Sequence, residues 1–404
     1  MDSGDTAFVL LACALVMLMT PGLALFYGGL VRSKNVLATM LQSFICLGVV
    51  SILWVVCGYS LAFGPDRWGL IGGLDWALLR SVGLDPGPYG ATIPHLLFSA
   101  FQLMFAILTP ALITGAFAER MKFSGFLLFT VLWTILVYFP VCHWVWGGGW
   151  LGKLGALDFA GGTVIHINSG AAALASALVV GKRRGYRKEP FQPHNLPLTV
   201  LGAGLLWFGW FGFNAGSALA ADMVAALAFF NTQVAAGAAA VAWVTVEWIK
   251  IGKPTMLGAA SGALAGLVAV TPAAGFVSPM AAVWIGLVAG GVCYGAVMAK
   301  EKLNYDDTLD VVGIHGVGGL WGALATGLFA STVSNTAGAD GLFYGNATQL
   351  LVQALGALAT IVYSFALSWI LLKVTVVFTG LRVSDDEEVQ GLDLSQHSET
   401  GYKL

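Results

Sequence analysis

Eleven predominantly apolar stretches divide the chain, at 5–31, 37–63, 92–118, 123–143, 160–181, 196–218, 223–249, 256–273, 278–299, 309–330 and 347–379. Most are close to the roughly 20 residues that a membrane-crossing helix needs. Short polar connections separate them, and beyond 381 the pattern breaks into the polar segment RVSDDEEVQGLDLSQHSETGYKL. The pattern predicts an all-α integral membrane protein, with one transmembrane domain over 1–381 and a tail over 382–404.

Composition agrees with that reading. Of 404 residues, 58% are hydrophobic and 10% charged, with a mean hydropathy of +0.82, whereas soluble domains carry about 25% charged residues. The net charge of -2 and the lack of a basic arm give no support to nucleic-acid binding. Five cysteines fall singly in apolar stretches, without metal or redox spacing, and read as small hydrophobes. The acidic start MDSGDTAF is unlike the basic start of a signal peptide, so the first stretch reads as a span.

Charge placement orients the chain. Connections after odd-numbered spans, together with the C-terminal end, hold sixteen of the 19 Lys and Arg residues; the alternate connections hold only Arg67, Arg80 and Lys153. The positive-inside rule makes the richer side cytoplasmic, which puts the N-terminus outside and the tail inside.

Within this topology two halves match in reverse. His166 lies about six residues into span 5 and His315 about six into span 10, which runs the other way; Gly170 and Gly319 follow four residues later, and Asp158 and Asp310 precede. Opposed halves with matching features signal an inverted repeat, here five spans plus five and one extra helix. At about 1.5 Å per residue each histidine lies roughly 9 Å below its own surface, and tilt brings the two together near mid-depth. A single buried histidine is as readily a tie between helices as a functional group, but two at matched depths favour function. A neutral pair sharing one hydrogen suits a small neutral guest or a proton relay. Two imidazoles without further ligands make an incomplete metal site, and no catalytic or nucleotide fingerprint stands in a supporting context.

Phe105, Trp146, Phe213 and Ser217 fall in AFQLMFAILTP, HWVWGGGW and GWFGFNAGSALA, toward the outer side. Composition alone favours an interfacial aromatic belt; the alternative is a cage whose ring faces attract a small cation. The 53 glycines point to close helix packing.

The stretches MTPGLALFYGGLVRSKNVL, FQLMFAILTPALITGAFAERMKF, HWVWGGG, GALDFAGGTVIHINSGAAAL, KEPFQPHNLP, GWFGFNAGSA, GKPTMLGAASGALAGLVAVTPAAGFV, DVVGIHGVGG and GLRVSDDEEVQGLD closely resemble the ammonium transporter (Amt/Mep/Rh) family, on its Amt side, over essentially the whole chain. The resemblance implies an eleven-helix bundle of 5+5 inverted-topology repeats plus a C-terminal helix, a homotrimer with one pore per subunit, and no cofactor or metal. It implies an outer ammonium site of Trp146, Phe105 and Ser217, a gate of Phe105 and Phe213, and twin pore histidines His166 and His315. Asp158 would support the outer site from behind, and Trp210 and Thr271 match further pore-lining positions. The tail would pack on the cytoplasmic face, couple subunits and lie where a PII-type signal protein binds. Ser169 stands where the family often has alanine, implying an extra pore hydroxyl or a bond back to the helix.

The implied activity is ammonium transport across the cytoplasmic (inner) membrane: NH4+ recruited outside, deprotonated, and passed as NH3 between the histidines, with the proton relayed separately. The same features leave open a gas or urea-type channel without charge movement. A sensor is a third reading, against which the short tail argues, and an enzyme has little support.

Overall fold

The computed structural model describes residues 1–402, so Lys403, counted above with the inner charges, lies outside them. Among the described residues ten helices are long and apolar enough to span a membrane: α1 Ser3–Leu30, α2 Ser33–Phe63, α3 His95–Phe117, α4 Phe123–Lys153, α5 Gly162–Val180, α6 Leu196–Ala218, α7 Met223–Ile251, α9 Pro279–Leu303, α10 Val312–Phe329 and α11 Ala347–Thr379. The shorter apolar helix α8, Met256–Val270, completes the eleven expected from the hydropathy pattern. It stops short of the expected 273 because Pro272 lacks the N–H that would continue it. The fourth element overruns the expected 143: its helix continues to Val145, turns, and adds Trp150–Lys153.

The halves interlock through equivalent helices. The first helices of the repeats, α1 and α6, pack along one another, as do the fifth, α5 and α10. At the second crossing Gly170 of α5 abuts the Gly316 backbone, while Gly319 of α10 abuts His166 and Ile167. These reciprocal contacts set the residue four beyond each histidine against the residue next after the other, as a two-fold relation requires. Each histidine also lies in a single widened π-turn, Gly162–Ile167 or Val312–Val317. α11 runs beside α5, where the Ser364 hydroxyl donates to the Asn168 carbonyl at 2.8 Å.

One feature of the predicted repeat is corrected. Asp158 caps α5, and its counterpart at the start of α10 is Asp307, whose Oδ2 accepts from the Val312 N–H at 2.8 Å; both stand eight residues before their histidine. Asp310 is instead bonded to Lys300.

The connection between α2 and α3 carries two small antiparallel pairs, β1 (Asp66–Arg67) with β2 (Ile71–Gly72) and β3 (Pro86–Gly87) with β4 (Gly90–Pro94). At the opposite face the tail forms α12, Asp385–Gln390, and α13, Leu392–His397. Asp393 accepts from the Leu37 and Ala38 N–H groups at 3.1 and 2.8 Å, and Lys34 donates to the carbonyls of Glu388 and Val389. Beneath the tail, buried Glu119 binds Arg32, Asn35 and Arg183, and Arg183 binds Asp306. This clasp joins four connections between spans. All five cysteines are free.

Candidate functional site: a vestibule and a histidine-lined lumen

The C-terminal end of α4 is fastened before it reaches the site. The Trp146 N–H still bonds the Cys142 carbonyl at 2.8 Å, and Trp144 and Trp150 donate to Leu70 and Gly69 of the β1–β2 hairpin. His143 lies between the Ala62 carbonyl and the Asp66 carboxylate, 2.9 Å from each. Trp146 is thereby presented to a cavity of about 480 Å³, whose walls include Phe98, Gln102, Phe105, Ser217 and Asp222.

Trp146 is oriented by a bond from its Nε1–H to the Asp158 carbonyl at 2.8 Å. Asp158 in turn is held through its carboxylate, which accepts from the N–H groups of Gly161, Gly162, Thr163 and Val164 at 2.7–3.0 Å. Four free donors at the start of a helix are the natural partners of such an anion. This carboxylate works behind the tryptophan, with its acceptor capacity occupied by backbone. The Ser217 hydroxyl donates to the Phe213 carbonyl at 2.8 Å, leaving its oxygen lone pairs as acceptors.

From the cavity inward a file of rings leads to the histidines. Centroid separations are 6.0 Å from Trp146 to Phe105, 4.6 Å from Phe105 to Phe213, 6.0 Å from Phe213 to His166 and 5.2 Å from His166 to His315. Phe105 and Phe213 are buried, so their contact separates the vestibule from what lies below.

The histidines meet edge to edge, Nδ1 to Nδ1 at 3.2 Å. One ring must donate and the other accept, so the proton on one Nδ1 dictates the complementary tautomer of its neighbour. His166 Nε2 is buried without a partner among the described residues. Around the pair lies a lumen of about 10 Å³ walled by apolar side chains such as Leu108, Leu112, Leu206 and Leu264, with the Tyr27 ring among them. That volume is about the minimum that one water-sized guest occupies.

Trp210 stacks on His166 at 5.5 Å and 20° and walls the lumen. Thr271 does not: it stands behind, accepting from Trp210 Nε1–H at 2.9 Å and donating to the Leu267 carbonyl. Thr271 thus stands as a support of the indole, behind the lumen wall. Ser169 bonds back to the His166 carbonyl at 3.2 Å, which accounts for its hydroxyl. Sequence reading missed the lumen leucines, Tyr27 and Gln102; nothing in an apolar span distinguishes a lumen-facing leucine from a lipid-facing one. No cluster of metal-ligating side chains occurs among the described residues.

The geometry offers a small cation π-faces and a hydroxyl oxygen in the vestibule, then a constriction, then a narrow apolar passage with two hydrogen-bonding rings. Comparison with known proteins points the same way. The ammonium transporter of Bacillus subtilis is 57% identical over 404 residues, covering 100% of this chain and 99% of that one. The crystal structure of Candida albicans Mep2 superposes with a TM-score of 0.90 at 38% identity, covering 96% of this chain and 88% of that one. A solved sensor Amt protein superposes with a TM-score of 0.89 at 31% identity, covering 98% of each. Because the sequence profile of the Ammonium Transporter Family matches residues 7–402, this membrane protein belongs to that family, as a transporter of the Amt type.

Proposed function

We propose that the chain conducts ammonium by taking the ion apart. NH4+ gives up hydration in the vestibule for the faces of Trp146 and Phe105 and the Ser217 oxygen; a desolvated cation over a tryptophan gains about 2 kcal/mol or more. An intact charge at mid-membrane costs about 3 kcal/mol even on lenient insertion scales, and the lumen has no room for its water. The ion therefore leaves its proton at the outer side. Phe105 and Phe213 swing to admit NH3, which passes His166 and His315 as donor and acceptor in turn, while the proton moves by a separate relay. K+ has no proton to lose, so the same step excludes it. The observation that carries this reading is the Nδ1–Nδ1 contact of two buried imidazoles inside so small a lumen.

Further parts of the reading rest on charge placement and family likeness: a homotrimer in the cytoplasmic (inner) membrane, the N-terminus outside, methylammonium as a second substrate, and a transmembrane domain over 1–381 followed by a regulatory tail over 382–404. The tail's seating on the clasp supports a cytoplasmic docking face for a PII-type signal protein.

The test is current on a solid-supported membrane from purified protein in liposomes. Ammonium gives current and K+ gives none. Separate replacement of His166 and His315 lowers the ammonium current or admits K+; wild-type flux and selectivity in both variants would overturn the mechanism, and absence of current in well-folded wild type would leave an uncharged channel. The likeness to a sensor Amt protein favours a second reading, in which signalling is the main output. Methylammonium uptake in cells lacking other carriers separates the two, since a pure sensor takes up none.

A further inference from the structure

The repeat places an aspartate eight residues ahead of each pore histidine but satisfies the two carboxylates unequally. Asp158 has both oxygens occupied, each by two backbone N–H groups. Asp307 caps α10 through Oδ2 alone, and its Oδ1 is buried with no partner among the described residues. The residue as a whole has no exposed surface. A carboxylate oxygen in that position is stabilised only by carrying a proton or by a donor that comes and goes.

The chain around it runs from the clasp, where Arg183 binds Asp306, to the lumen wall at Leu309. Lys300 of α9 donates to the Asp307 carbonyl at 2.9 Å and to the Asp310 carboxylate. The hydroxyl of Tyr27 on α1 donates to the Leu112 carbonyl at 3.0 Å, and Tyr305 stands two residues before Asp307. Tyr27 and Leu309 wall the lumen with His315, and the Leu309 N–H is bonded to the Gly115 carbonyl at the inner end of α3. Burial pushes the Asp307 carboxyl up, Lys300 opposes and Asp310 adds to it, leaving it at about 6. Such a group changes protonation close to neutrality.

We propose that Asp307 is the proton donor at the inner end of the passage: its carboxylic acid protonates ammonia leaving the histidine pair, and its carboxylate is then reloaded from the inner solution. The new N–H bond forms as the Asp307 O–H bond breaks; ammonium leaves, and one proton from the inner solution restores the acid. Ammonia is a far stronger base than a carboxylate, so the transfer runs downhill. The proposal rests on the reading that ammonia crosses as a neutral molecule.

The test uses full-length protein in liposomes, with outer pH and ammonium constant and the inner pH varied from one unit below to one unit above about 6. Wild-type initial rates fall several-fold as inner pH rises through this window. Asp307→Asn, whose amide oxygen still accepts from Val312, gives a lower and flatter profile with unchanged K+ exclusion, and Asp307→Glu restores the slope. Identical wild-type and Asp307→Asn profiles overturn the proposal. If Asp307→Asn does not assemble, infrared difference spectroscopy of the wild type decides: a buried carboxylic-acid C=O band titrating near 6 and shifting in Asp307→Glu supports it, and absence of the band overturns it. His166 and His315 variants run alongside separate the two levels. If these change flux or selectivity while Asp307→Asn matches wild type, only the donor role fails; if they too match wild type, the parent mechanism fails.

Discussion

Gly170 lies against the backbone of Gly316 where α5 crosses α10, and a methyl group built on it would overlap the Gly316 N and Cα atoms. The relation is lopsided: a Cβ on Gly316 would meet Gly170 Cα at an ordinary 3.5 Å. Overpacking against backbone that cannot yield costs about 1–3 kcal/mol. Gly170→Ala should therefore destabilise the protein and spread the adjacent histidines, whereas Gly316→Ala should be nearly neutral. Thermal unfolding in detergent with parallel uptake rates checks the contrast; equal behaviour of the two variants would mean that the crossing relaxes.

Trp146 combines a face turned to the vestibule with an indole N–H spent on the Asp158 carbonyl. Trp146→Leu removes both, and loss of about 2 kcal/mol of cation attraction corresponds to roughly 30-fold weaker apparent affinity. Trp146→Phe keeps a π-face without the orienting bond and should fall between. Competition of ammonium against labelled methylammonium uptake measures both; an unchanged apparent affinity in Trp146→Leu would remove this residue from recruitment.

The histidine pair was legible because an ionisable ring in an apolar span stands out against its neighbours, and because its depth follows from helical rise alone. The matching glycines were legible for the same reason of spacing. Which aspartate caps α10 was not: Asp306, Asp307 and Asp310 crowd the same turn, and only folding shows that Arg183 takes the first and Lys300 the last. Leu108, Leu112 and Leu264 were illegible as lumen walls because lipid and lumen demand the same side chains. The roles of Thr271 and Ser169 depended on single hydrogen bonds whose partners are three to 61 residues away in sequence, beyond what spacing can reveal.

Glu119 makes the clasp beneath the tail acid-sensitive. Burial opposes its ionisation, but Arg183 and Arg32 outweigh that and bring its carboxyl down to about 2 from 4.5. A depressed carboxyl contributes stability that is complete above the unfolded value and is lost as pH falls through the folded one. About 3 kcal/mol should thus disappear between roughly pH 4.5 and 2, with no change near neutrality. Glu119→Gln should be less stable at pH 7 and lose this acid slope. Denaturation midpoints measured against pH provide the check, and a wild-type slope confined to a higher window would assign it to another group.

Thr271 holds the ring that His166 stacks upon. In Thr271→Val the Trp210 N–H loses its acceptor in a site without exposed surface, and a buried donor left unpaired costs about 1–3 kcal/mol. Thr271→Ser keeps the hydroxyl and should retain most of that. The consequence for transport differs from that of a vestibule variant, because the indole faces His166 below the Phe105–Phe213 contact. Recruitment outside is untouched, so Thr271→Val should lower maximal ammonium current while leaving apparent affinity near wild type, the reverse of the pattern for Trp146→Leu. A concentration series of ammonium current in the Val and Ser variants distinguishes these cases. If Thr271→Val shifted affinity at constant maximum, Trp210 would belong functionally to the outer site and the division of the ring file at the phenylalanine pair would be misplaced.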